Sequence, residues 1–224
     1  MAVAVVPRLL VSVIGAWRRQ RIEKPWQVLF QAPLTLHDAH ASGAPLNEHV
    51  GDADLDAGLA HDGGDLRRHV LNLAVARGAA AFLRRRGVRV VMTRDDDRAL
   101  TLDERIDRAR RGGAQILVSV HHDSCPGCCD PLSRRGAGAY YGAQHSEALA
   151  EAILSSLEAG GAISRGTRRA GYAVTAPTDF LAVLVECRYL SHPDDEAQIL
   201  DDGYALRTGG QIGAGVLDFL RRAG

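Results

Sequence analysis

Apolar residues along this chain fall into short unbroken runs and into stripes at helical spacing. From Asp65 onward the two kinds of segment take turns. Ile116–Val120 (ILVSV) and Leu181–Val185 (LAVLV) are compact runs rich in β-branched residues. Such runs read as strands buried on both faces of a sheet. Val88–Thr93 and Ala137–Tyr141 are further strands, and Tyr172–Val174 is a short one. Leu71, Ala74, Val75, Gly78 and Phe82 share one face of a helix, and Gly87 suits the position just past its end. Thr101-x-x-Glu104 is a capping box opening a helix with Leu102, Ile106 and Ala109 inward, which runs to Gly112-Gly113. His145–Ala159 carries the stripe Leu149, Ile153, Leu157, and Tyr204–Leu220 carries Ile212, Val216, Leu220. Ser191-His192-Pro193 starts one more helix, with Pro193 in its first turn. Strands alternating with helices predict a single three-layer α/β domain, its mostly parallel, twisted sheet flanked by helices.

Before Asp65 the pattern is weak. Residues 1–32 define no element, Pro33–Leu36 reads as a short strand running into His37-Asp38-Ala39-His40, and Gly43 to Gly64 is loop-like. The domain is therefore placed at residues 33–224, with 65–224 clearly patterned.

Two strand ends carry the chemistry. The first apolar run stops at His121, His122, Asp123 and Ser124, and the second stops at Glu186. Open α/β sheets place their sites at the carboxyl ends of strands, so the two ends predict one convergent site. If strand alternation continues, His122 points away from His121 and is a neighbour, not a ligand.

Composition narrows the class. The chain has 224 residues, 46% hydrophobic and 24% charged, with 27 basic against 27 acidic residues. That length buries roughly 70% of the unfolded surface. Zero net charge gives no electrostatic case for nucleic acid or an anionic membrane. No apolar stretch reaches the ~18 residues of a membrane span. The positive charges around Leu9–Trp17 lie mostly after it, at Arg18, Arg19 and Arg21, whereas a secretory signal carries them before. Four cysteines are too few for a disulfide scaffold. Cys125, Cys128 and Cys129 read as a structural or redox loop in preference to a second metal site, and Cys187 as a core residue.

Four segments, in order, resemble the zinc-dependent N-acetylmuramoyl-L-alanine amidases of peptidoglycan turnover, the type 3 amidase family. Arg89–Asp97 (RVVMTRDDD) is similar to "VvlTRdtD", and Thr101–Arg105 (TLDER) to "sLeeR". Val118–Ser124 (VSVHHDS) resembles "iSiHaNa", and Leu184–Glu196 (LVECRYLSHPDDE) resembles "LvElGFlSNpeDe". The resemblance implies a hydrolase of the cell wall that uses Zn2+ to cut the amide between N-acetylmuramic acid and L-alanine of the stem peptide. It implies His121 as a zinc ligand, Glu186 as the catalytic acid–base group, peptidoglycan as partner, and action outside the cytoplasm, in periplasm or cell wall.

The other ligand motifs depart from the family's. Asp38–Gly43 is the nearest match to "DxGHGG" and makes His40 the candidate first ligand, with His37 and His49 behind it. Aligning Asn72-Leu73 with the family's "EkdvnL" puts Arg68 where a ligating glutamate belongs. A guanidinium offers no lone pair. His69 is then the candidate substitute, with Glu48 behind it. Two accounts fit the break: a divergent member with altered metal binding, or a shifted reading frame up to about Arg68. The corresponding alternative function is an amidase-like module that binds wall glycan without cutting it.

Overall fold

The computed structural model describes residues 27–31, 64–96, 100–125 and 129–223. The expected strand at Pro33–Leu36 and the residues His37, His40, Glu48 and His49 lie outside these. In chain order the elements are β1 (Gln27–Gln31), α1 (Gly64–Arg84), β2 (Arg89–Met92), α2 (Leu102–Arg111), β3 (Ile116–Asp123), β4 (Ala137–Tyr141), α3 (Glu147–Ala159), β5 (Ser164–Arg169), β6 (Leu181–Tyr189), α4 (Pro193–Ile199) and α5 (Tyr204–Ala223). The six strands form one sheet in the order β2-β1-β3-β6-β4-β5. All neighbours are parallel except β4 against β6.

The two unbroken apolar runs are the adjacent central strands, β3 and β6, paired Ile116↔Leu181 through His121↔Glu186. Both are buried over nearly their whole length, which is why their sequences do not alternate. On one face, Ile116, Val118, Val120, Val183 and Val185 pack beneath α1, α3 and α5 through Ala76, Ala80, Ile153, Ile212 and Val216. Helices α1 and α5 approach closely because Gly209 offers no side chain; a Cβ there would collide with the Val75 carbonyl oxygen. The opposite face is more thinly covered. Leu117 and Ala182 pack with Ala109 of α2, and Leu184 packs with Leu102 and Val174.

The capping box forms as the sequence predicts: the Glu104 amide donates to Thr101 Oγ1, and the Thr101 amide donates to Glu104 Oε2. Three elements differ from the sequence pattern. Tyr172–Val174 is not a strand but leads into a 3-10 turn at Ala173–Thr175, which packs on Leu184. β5 (SRGTRR) has no hydrophobic face to announce it, being a polar, mostly exposed strand at the sheet edge. β1 falls in the segment that showed no element; only Val28, Leu29 and Phe30 mark it, and all three are fully buried.

Candidate active site

Register brings the two predicted strand-end residues together. His121 and Glu186 are direct partners across β3 and β6 and lie on the same face of the sheet. His121 Nδ1 is 4.0 Å from Glu186 Oε1, and both side chains are almost wholly buried. On its far side His121 Nε2 shares a 2.7 Å hydrogen bond with Ser119 Oγ, two residues back on the same strand face. Beyond His121 a register shift pairs Asp123 with Tyr189. Such a bulge re-aims side chains at a strand end.

Glu186 keeps its second oxygen, Oε2, buried and without a hydrogen-bond partner among the described residues. Burial foremost, and the charge of Asp123 next, push its carboxyl well above the usual carboxylate range, while Arg68 works in the opposite direction. A carboxyl of this kind holds its proton to higher pH than an exposed one does. Burial and the same two carboxylates also raise the Tyr140 hydroxyl, and Tyr140 stands edge-on to Tyr172 at 5.4 Å between ring centres. Burial foremost, then Asp123, raise the Tyr189 hydroxyl, and the Arg165 guanidinium lies 4.9 Å above its ring.

His122 points to the other face, as alternation predicts. Its Nδ1 meets Asn72 Oδ1 at 2.7 Å and its Nε2 meets the Tyr204 hydroxyl at 2.8 Å. Burial first, then the charges of His121, Arg68 and Arg188, lower its pKa to about 3. The imidazole is therefore neutral, with Nδ1–H donating to the amide oxygen and the tyrosine donating to Nε2. It ties β3 to α1 and α5.

The start of α1 reaches the same strand ends. Arg68, one helical turn before Asn72, is 4% exposed, and its charge acts on both Glu186 and His122. Its Nε and Nη1 meet no acceptor among the described residues. His69 follows it, half-buried, and its carbonyl accepts from Arg94 Nη2 at 3.0 Å. Arg94, from the TRD segment after β2, also donates to the Asp96 carbonyl at 2.7 Å. It thus fixes the second turn of α1 against the β2 loop. At the far end of β6, Asp195 is fully buried and accepts from the Gly136 amide (2.6 Å), the Tyr189 amide (3.0 Å) and Arg188 (3.3 Å). Cys125 and Cys129 are joined as a disulfide, and the Cys125 amide donates to Ser191 Oγ at 2.8 Å. The cysteine loop is thereby held to the turn after β6.

The ends of two apolar runs, where the sequence puts His121 and Glu186, are adjacent in the structure. Asp123 belongs to the strand-end cluster already visible in the sequence, whereas Ser119, Tyr140 and Tyr189 carry no such signal, because their contribution depends on register between strands distant in sequence.

The fold is an α/β domain with helices on both faces of the sheet and a histidine–carboxylate pair at the ends of its two central strands. Residues 51–218 match the family model for N-acetylmuramoyl-L-alanine amidase, and the chain belongs to that family. Among curated relatives, the probable cell wall amidase LytH of Staphylococcus saprophyticus is 30% identical over 80% of this chain and 61% of its own length. The corresponding protein of Staphylococcus epidermidis is 33% identical over 58% of this chain and 42% of its own. The chain thus spans about half the length of these relatives. Among solved structures, N-acetylmuramoyl-L-alanine amidase AmiC2 of Nostoc punctiforme superposes with a TM-score of 0.70 at 28% identity, over 88% of this chain and 98% of that one. No helix among the described residues is long and apolar enough to cross a membrane.

Proposed function

We propose that the chain acts on peptidoglycan at the amide joining the lactyl group of N-acetylmuramic acid to L-alanine, with Glu186 as the proton-transfer group. The observation that carries this reading is the buried Glu186 carboxyl, one oxygen toward His121 and the other without a hydrogen-bond partner among the described residues. Amide hydrolysis requires a group that takes a proton from the attacking water and returns it to the leaving amine. A carboxyl with raised proton affinity suits both halves of that task. Ser119 holds the His121 ring in one orientation beside it. The family membership supports the substrate class, and the Cys125–Cys129 disulfide agrees with an oxidising, extracytoplasmic setting.

Zinc, where bound, would supply water activation and carbonyl polarisation. His121 is the ligand candidate that lies at the described site. His40 lies outside the described residues, and His69 sits beside Arg68 at the start of α1. The residue of that helix whose charge acts on Glu186 is Arg68, which has no lone pair to give. Among the described residues no group of three or more His, Cys, Asp or Glu side chains gathers to hold a metal. The described donors do not complete a zinc site, so no step here runs through the metal.

The buried Arg68 favours a second reading: a wall-binding module that grips the muramoyl–peptide junction without cutting it. Incubating the purified chain with isolated sacculi separates the two readings. Released stem peptide supports hydrolysis. Co-sedimentation without release supports the second reading, and neither outcome would contradict both.

A further inference from the structure

The charge of Arg68 acts on Glu186, yet no hydrogen bond or ion pair joins the two side chains. Arg68 Nε and Nη1 and Glu186 Oε2 are all buried and lack hydrogen-bond partners among the described residues. A buried charge without a bonded counter-ion is costly, and a guanidinium is relieved most fully by a planar oxyanion that accepts from it directly. The helix turn that carries Arg68 is fixed to its neighbours at two points. Asn72 is locked to His122, and Arg94 clamps the His69 carbonyl.

We infer that Arg68 makes the mouth of this site a carboxylate-binding pocket, a fixed cation lodged where the family resemblance calls for a metal ligand. The inference rests on the reading that the site meets peptidoglycan, and it names the chemistry it takes there: a free carboxylate on a wall fragment. Two sources carry that group. One is the lactyl carboxylate of N-acetylmuramic acid from which the peptide has been removed. The other is a carboxylate of the free stem peptide.

Calorimetric titration of the purified full chain with N-acetylmuramic acid and, separately, with the dipeptide L-Ala-D-Glu distinguishes the sources. N-acetylglucosamine, which lacks the lactyl acid, is the control. The expected result is saturable binding of at least one acid and none of the control. Affinity should fall about 10- to 100-fold in Arg68→Gln and Arg68→Met, the loss expected of a charge-assisted hydrogen bond. Thermal melting of both variants checks folding, and Arg68→Met keeps the buried volume should Arg68→Gln fold poorly. Binding by neither acid, or binding that both variants keep, overturns the inference. Sacculus association unchanged in Arg68→Met would overturn the pocket while leaving the peptidoglycan reading intact. Arg68-dependent carboxylate binding with no affinity for sacculi would do the reverse.

Discussion

Glu186 and His121 occupy paired positions on the two central strands, with 4.0 Å between Oε1 and Nδ1. Strand pairing, not loop conformation, sets that distance, so the pair is as rigid as the core beneath it. Burying an ionisable carboxyl with an unpartnered oxygen opposes folding. Glu186→Gln keeps the shape and removes that opposition. The variant should melt at the wild-type temperature or a few degrees above it (about 4 °C per kcal/mol gained). A clear fall in melting temperature would mean that the carboxylate holds the fold together.

The bond from His122 to Tyr204 ties β3 to the last helix. Tyr204→Phe removes only the hydroxyl and leaves the buried ring nitrogen without its donor. A loss of about 1–3 kcal/mol is expected, read as an earlier midpoint in urea with an unchanged slope. An unmoved midpoint would show that this bond contributes nothing net.

Asp195 joins three segments, accepting from Gly136, Tyr189 and Arg188 while fully buried. Asp195→Ala leaves three donors unmet and should cost about 3–5 kcal/mol. That would make it the most damaging of these substitutions in a chemical-denaturation series. A milder effect than Tyr204→Phe would contradict its place as the clasp at the end of β6.

Arg68→Glu tests the position on α1 directly. It puts a carboxylate where the resemblance expects a ligand, beside His121 and Glu186. Zinc carried through purification, measured by elemental analysis, should rise toward about one ion per chain and exceed that of the wild-type protein. Equal zinc in both proteins would show that position 68 does not control the metal.

The legible parts of the sequence are those where one element's own period decides its place. β3 and β6 are unbroken because both faces are covered, and α2 announces itself through Thr101 and Glu104. The site follows from this, since a run of known register tells which side His121 and His122 take. The illegible parts depend on partners far away in sequence. β5 is a strand only because the edge of β4 offers it hydrogen bonds. The apolar residues around Val174 pack on Leu184 as a turn, though alone they read as a strand. Alignment through Asn72 indicated Arg68, but its burial at the strand ends could be seen only once α1 was docked.

The central claim is that Glu186 moves protons at a muramoyl–peptide amide. The most direct measurement is mass-spectrometric detection of stem peptide released from purified sacculi, comparing wild type with Glu186→Gln. The account predicts release by the wild-type chain and a fall of about 100- to 10,000-fold in the variant, the range for losing a general acid–base group. Equal release by both proteins would contradict it.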